Sequence, residues 1–545
     1  MRGKLGIAAL VAGVALAGSS QAAASGGGAA SEHYGLACDS GKIMCQDPAF
    51  NLPGHYIGHD EPSVGFVSNR PGSGNDVTYT VRLPKNPPTL PNQQATGGTW
   101  DFQLRPTFWL GMVLCDSQSA PNFTHVCKAD SDSNNKISPN PSSPDYIGKH
   151  PGNAFMEVQW YSPGYVEQFD GFGCTAHQYC AALTIDSFSA NQNTGVANNN
   201  DCNNFPLVGE EPVNWAYITK SGRSQAPANP LSTSRALLAH GVSKALNPDP
   251  RLDLLMNGGD TIRVHIHDTP AGVRVDMHDV TNGRSGSMTA SKQNGFGQIL
   301  FQPNSAHCHV RPYAFHPMYS TAVPRGNTWA AHANNLAFAD EIGHFEYCDA
   351  IDAEGGNCTK PGPGDPTLDS DDVECFDGAA STLVQLTGCF AGAGDFDWDG
   401  TAYQRDWPGT LHNRHRDRML HETPLMISSP LTRGHQYAKV AFETNLPGNE
   451  TADVGGACST RTGVGCTLPA PGTKFYPIWT TRLVNGACTF QQGGTLMPHQ
   501  NAFGGSVKTE YGHLLRTVYP NAGFTPIRLF ENFRRNLGGN PCPAG

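Results

Sequence analysis

Charge is scarce in this chain: 15% of its 545 residues are Asp, Glu, Lys or Arg, against roughly 25% in an average soluble protein. No run of Lys or Arg occurs, and 36 basic residues face 47 acidic ones for a net charge of −11. A surface of that sign repels phosphate backbones and anionic lipids, so neither nucleic acid nor membrane is expected as a partner. Also missing are a GxSxG elbow, an HExxH pair, a GxxxxGK phosphate loop and a GxGxxG after a strand pattern. Hydrolases of the α/β type, zincins, nucleotide hydrolases and dinucleotide enzymes thereby lose their sequence support. His421-Glu422 comes nearest to a zincin pair, but Pro424 follows and no second His takes the required place. No CxxC and no fixed-period repeat occur, which argues against zinc ribbons, thioredoxin-type sites, solenoids and propellers.

What the chain has in quantity is turn-forming residues and cysteine. With 62 Gly and 41 Pro, long helices are disfavoured and short elements joined by many turns are expected. Met1, Arg2 and Lys4 precede the apolar run LGIAALVAGVALAG, and small residues follow at Ser20 to Ala24. That is the pattern of a removable secretion signal over 1–24, too short to anchor in a bilayer. Secretion and an extracellular location are the expectation. The 16 cysteines then read as disulfides. Cys38 with Cys45, Cys115 with Cys127, Cys174 with Cys180, Cys348 with Cys358, Cys375 with Cys389 and Cys458 with Cys466 are near enough in sequence to clip local loops. Cys202, Cys308, Cys488 and Cys542 are left to pair over longer distances, with connectivity open.

Two-residue alternation recurs through the loop-rich sequence. Val77–Leu83 alternates without error and is closed by Pro84; further strand patterns lie at 108–114, 154–161, 180–188, 213–219, 437–444 and 475–481. Such spacing predicts a mainly β fold, an antiparallel β-sandwich of jelly-roll-like type. The clearest unit is a hairpin, Ile262–His267 returning as Val273–His278 around a turn at Thr269–Gly272. That turn pairs His267 with Arg274, His265 with Asp276 and Arg263 with His278. One face is then Ile262, Val264, Ile266, Val273, Val275 and Met277, and the other is entirely ionisable. Near the end, Thr525 as cap, Pro526 in the first turn, Arg534 and Arg535 in the last and Gly538 as terminator predict a short C-terminal helix. The organisation expected is a signal over 1–24, an irregular arm over 25–53, the sandwich core over 54–347, a Cys-rich acidic segment over 348–410 and a β-rich region over 411–545.

Three constellations carry chemistry. Asp395-Phe396-Asp397-Trp398-Asp399-Gly400, followed by Thr401 and Asp406, reproduces the oxygen spacing of an EF-hand-type calcium loop. Asp406 stands where a bidentate Glu is usual, and Trp407-Pro408 stops the customary helix, so a structural calcium in another setting is expected; a solvated acidic turn is the alternative. Second, His307, His309, His316, His332 and His344 concentrate imidazole, as a copper or zinc site would require. The plainer reading is a half-cystine at Cys308 flanked by exposed rings. The hairpin histidines His265, His267 and His278 either join this site or form a wet outer face of paired charges. Third, the strand at 154–161 shows Phe155, Glu157, Gln159 and Tyr161 on one face. Aromatic rings stack on sugars while carboxylate and amide bond hydroxyls, and Asp186 or Glu211 could supply a second carboxylate for glycoside cleavage.

Three functions remain open at this level: an extracellular carbohydrate-active protein acting on a polysaccharide or glycan with Glu157 and Asp186 as catalytic pair, a mononuclear His-ligated metalloenzyme resembling copper oxidoreductases, and a non-catalytic surface or matrix protein. Calcium is the first testable part of this reading. After chelation, titration should restore about one calcium and raise the melting temperature, and pairing Asp397→Asn with Asp399→Asn should abolish both. Unfolding indifferent to calcium would remove the loop as a staple.

Overall fold

The computed structural model describes residues 63–68, 76–85, 107–116, 153–161, 163, 175, 177–187, 196–203, 213–233, 247–317, 327–332, 348–351, 358–361, 423, 425–428, 439–444, 479–485, 487–492, 501–503, 514–517, 528–531 and 533–538. The first nine strands are β1 (Ser63–Ser68), β2 (Asp76–Arg82), β3 (Thr107–Cys115), β4 (Asn153–Tyr161), β5 (Cys180–Ser187), β6 (Val213–Tyr217), β7 (Thr261–Thr269), β8 (Gly272–Asp279) and β9 (Arg284–Thr289). Among the described residues the fold is mainly β, with two eight-stranded sheets. In the first, Phe533–Gly538, Lys439–Thr444, β1, Asn327–His332, β3, β4, β5 and β6 lie side by side. In the second the order is Asn501–Phe503, Trp479–Val484, Ala487–Gln492, Met426–Ser428, β2, β7, β8 and β9. Every ladder within them is antiparallel.

Alternation explains which face of each strand is buried. Val77, Tyr79 and Val81 of β2 are buried, as are Ile262, Val264 and Ile266 of β7 and Val273, Val275 and Met277 of β8. From the first sheet come Phe108, Leu110, Met112 and Leu114 of β3, Met156, Val158 and Trp160 of β4, and Leu183 and Ile185 of β5. All of these belong to one hydrophobic cluster, so the two sheets share a core. Phe108 and Trp160 face each other across the β3–β4 ladder and stack with ring centroids 5.0 Å apart. Each large apolar side chain so buried contributes on the order of 1.5–3 kcal/mol.

The β7–β8 hairpin has the register that its turn requires: Arg263 opposite His278, His265 opposite Asp276 and His267 opposite Arg274. Thr269 closes the turn by donating its hydroxyl to the Gly272 carbonyl at 2.7 Å. Gly272 has φ +127°, and a Cβ there would lie 2.4 Å from the Ala290 carbonyl oxygen. Only glycine meets both demands.

The C-terminal helix is a correction. Arg528–Glu531 is a strand paired with Leu514–Thr517, and Phe533–Gly538 pairs with Lys439–Thr444 at the edge of the first sheet. Capping and end-charge signals are worth about 1 kcal/mol each, and in this segment six-residue pairing with a distant strand outweighs them. Cys202 and Cys308 form a disulfide across 106 residues of sequence, and Cys488 is also half of a disulfide. The Cys348–Ile351 and Cys358–Pro361 strands pair with each other. The calcium-type loop with Asp395, Asp397, Asp399, Thr401 and Asp406 lies outside the described residues, as do Glu211, Cys174 and His344.

One buried acid ties the segment after residue 247 to the sheet. Asp253 bridges Thr219 through the backbone, is 0% exposed, and accepts the Asp249 amide at 2.6 Å. Its other carboxylate oxygen has no partner among the described residues. Burial pushes its carboxyl up to about 7; the Asp249 amide opposes the rise, the Asp249 charge adds to it and Lys220 opposes it. A folded acid that holds its proton more tightly than the unfolded one stabilises fully below the unfolded value of 3.8 and loses that contribution as pH rises through about 7. The loss amounts to at most about 4 kcal/mol. The melting temperature should therefore fall between about pH 4 and 8, and Asp253→Asn should flatten that fall; an identical profile in the variant would contradict it.

Candidate metal centre and a buried polar ladder

The solvent side of the second sheet is built by the same alternation that fills its core. On β7 the side chains of His265 and His267 leave the sheet together, because strand positions two apart share a face. Their rings stack 4.3 Å apart at an interplanar angle of 9°. Pairing sets Asp276 of β8 opposite His265, and Asp76 of β2 opposite His267. The hydrogen bonds then run diagonally. His267 Nε2 donates to Asp276 Oδ2 at 2.8 Å, and His265 Nε2 to Asp76 Oδ1 at 2.7 Å.

His265, His267 and Asp276 form a cluster that could hold a metal ion, with one ligand atom from each lying within 4.8 Å of the others. All three are half-buried, so an ion would be reached from solvent and still lose part of its hydration. Burial alone would raise the Asp276 carboxyl, but hydrogen bonds from His267 and Arg274 and the Arg274 charge outweigh it and hold the group well below the usual carboxylate range. The carboxylate is thus anionic throughout the neutral range, as a ligand must be. A cation arriving here would replace the imidazole protons that now bridge to carboxylates. Arg274 grips Asp276 through Nε at 2.9 Å to each oxygen and through Nη2 at 2.7 Å. The same Nη2 donates to Ser287 Oγ on β9 at 3.0 Å. His278 stands apart, with Nδ1 at 2.8 Å from Ser285 Oγ.

Of the histidines concentrated later in the sequence, His307, His309, His316 and His332 are among the described residues. His307 and His309 are exposed on either side of the buried Cys308. His307 lies 3.9 Å from Asp201. His316 is buried and its Nδ1 meets Asp268 Oδ1 at 2.8 Å. His332 lies on the strand Asn327–His332, paired with Trp109 and Ser63. None of His307, His309 and His316 enters the cluster formed by the hairpin. Density along the sequence favours these residues; the H-x-H spacing on β7 with an acid opposite it is the better signal, and the hairpin register already contains it.

On the first sheet, the face turned away from the shared core carries the β4 array. Gln159 donates to Glu157 Oε2, and the Tyr161 hydroxyl donates to Gln159 Oε1. Glu157, Tyr161, Trp109, Thr184, Trp215 and Tyr217 are all buried on or beside this row. Trp109 is paired with Gln159, and Thr184 with both Glu157 and Trp215. The Tyr161 and Trp215 rings are 5.3 Å apart, and Trp215 meets Tyr217 edge-on at 6.0 Å. Asp186 is paired with Phe155, further along the same β4–β5 ladder as the Glu157–Thr184 pair. The array is therefore a connected polar ladder framed by indoles and phenols.

No protein-family model matches the chain, and no curated protein or solved structure matches it. No helix among the described residues is long and apolar enough to cross a membrane.

Proposed function

We propose that this is a secreted, extracellular metal-binding protein of the β-sandwich class with a jelly-roll-like topology, with a single transition-metal ion held by His265, His267 and Asp276. The observation that carries this reading is the convergence of two imidazoles and one carboxylate from adjacent strands within 4.8 Å. Imidazole favours borderline ions, zinc or copper(II), over calcium or magnesium, which prefer oxygen alone. Three protein ligands leave at least one position open to water or substrate, the arrangement of a reactive centre and not of a closed structural one. This is the mononuclear His-ligated reading placed on the hairpin instead of on His307, His309, His316, His332 and His344. A structural calcium at Asp395–Asp406 is compatible with it and independent of it.

Calorimetric titration of the full chain with zinc chloride and copper(II) sulfate tests the site. About one equivalent of either ion should bind, and His265→Ala or His267→Ala should weaken binding at least about tenfold while the fold is kept. Failure of both ions to bind would end this reading.

A carbohydrate-active function is the second reading, supported by the Glu157–Gln159–Tyr161 ladder and its aromatic frame. Rings of this kind stack on pyranose faces, and the carboxylate and amide match sugar hydroxyls. On this reading Glu157 serves cleavage with Asp186 as its partner, and Phe155, Gln159 and Tyr161 bind the glycan. Retention on immobilised polysaccharides should then fall on Tyr161→Ala, and any glycan cleavage should vanish on Glu157→Gln. Unchanged retention and cleavage in both variants would exclude the ladder as a glycan site.

A further inference from the structure

We infer that Arg274 is the built-in competitor of the metal site, a positioning residue that occupies Asp276 until an ion binding strongly enough to the two histidines displaces it onto Ser287. The inference rests on the metal reading above and deepens it, because it concerns which ions the site accepts.

The geometry has three parts. First, Asp276 is heavily engaged: the guanidinium contacts both carboxylate oxygens, Nε sharing its one hydrogen between them at 2.9 Å to each and Nη2 at 2.7 Å to Oδ1, while His267 takes Oδ2 at 2.8 Å. These three N–H groups cover most of the roughly four lone-pair positions of a carboxylate, so an ion bonding to Asp276 competes with them. Second, Arg274 has somewhere to go. Its Nη2 is 3.0 Å from Ser287 Oγ, a neutral acceptor on β9 directly opposite Asp276. Rotation about the long side chain, which is 38% exposed, releases the carboxylate without stranding the guanidinium. Third, the cation cannot leave the neighbourhood. Arg274 sits two residues before Asp276 on the same face of β8, so its charge opposes any divalent ion at His265 and His267 at short range.

Such a competitor sets a threshold. Ions that bond weakly to imidazole do not repay the loss of the Arg274–Asp276 fork, and calcium, magnesium and manganese are refused. Ions high in the divalent series for nitrogen ligands, copper(II) and zinc, exceed it. The hydrogen-bonded lattice of Asp76, His265, His267, Asp276 and Arg274 is then the resting state of the site, and metal uptake is an exchange of one cation for another at Asp276.

The test is titration of the full chain and of Arg274→Gln with zinc chloride and, separately, manganese chloride, with melting curves for each protein. Arg274→Gln should bind zinc about tenfold or more tightly than the unmodified chain and should acquire measurable manganese binding. Arg274→Lys, which keeps the charge but loses the planar fork, should fall between them, and it decides the matter alone if Arg274→Gln does not fold: tighter zinc binding than in the unmodified chain supports the inference, equal binding overturns it. Equal zinc affinity in the unmodified chain and Arg274→Gln, with both abolished by His267→Ala, overturns the role of Arg274 and leaves the metal site standing. Absence of zinc and copper(II) binding in every variant overturns the site and this inference together.

Discussion

The two-residue loop of the β7–β8 hairpin constrains more of this molecule than any other single feature. Pro270 and Ala271 span a turn whose closing pair is Thr269 and Gly272, and that turn fixes register to the residue. A slip of β8 by one against β7 would turn Val275 and Met277 to solvent and bring Arg274 and Asp276 into the core. The cost of burying those charges is far above the stability of a domain, so the register has no competitor. Core packing and candidate site chemistry are therefore two consequences of one local choice. The glycine at 272 is the point where that choice is enforced, because the Ala290 carbonyl leaves no room for a side chain.

Local pattern makes much of this architecture legible in the amino-acid sequence. The strands at 76–82, 107–115, 153–161, 180–187 and 213–217 sit where alternation places them, and the hairpin register follows from turn length alone. Order within the sheets is not legible. β2 is flanked by β7 and by Met426–Ser428, whose residues Thr261 and Met426, both opposite Arg82, lie 179 and 344 positions further along the chain, and no local signal encodes such a choice. The helix expected near the C-terminus fails for the same reason. The residues from Thr525 to Gly538 satisfy the local rules for a helix, yet the edge of Lys439–Thr444 offers six paired positions, and that long-range term is invisible in a window of a dozen residues.

The site shows the same division. Five histidines between 307 and 344 stand out by number, whereas chemistry requires proximity. Cys308 explains part of the crowding: it is buried in a disulfide with Cys202, so alternation puts both of its histidine neighbours outside. His316 follows the opposite rule, being drawn into the interior by the Asp268 carboxylate, where a buried imidazole needs a partner. The hairpin histidines are fewer and, in sequence, resemble an ordinary wet face. What distinguishes them is that cross-strand pairing adds a carboxylate on each side, from β2 and from β8, which a one-dimensional count cannot display.

Asp276 is where structural and candidate ligand roles meet. An ion pair this accessible adds little to stability by itself, since screening and side-chain entropy consume most of the attraction. Its retention of two donors, an imidazole and a guanidinium, is therefore better understood as orientation than as stabilisation. Arg274 and His267 hold the carboxylate in one pose, and Ser287 holds the far end of the guanidinium. The result is a charged surface with fixed geometry on a rigid sheet, in contrast to the same residues on a loop, where each would wander through its rotamers. The two imidazoles are held by the hairpin itself and lose little entropy when an ion arrives, and a strand hairpin with no freedom of register is among the stiffest supports a chain of this composition can build.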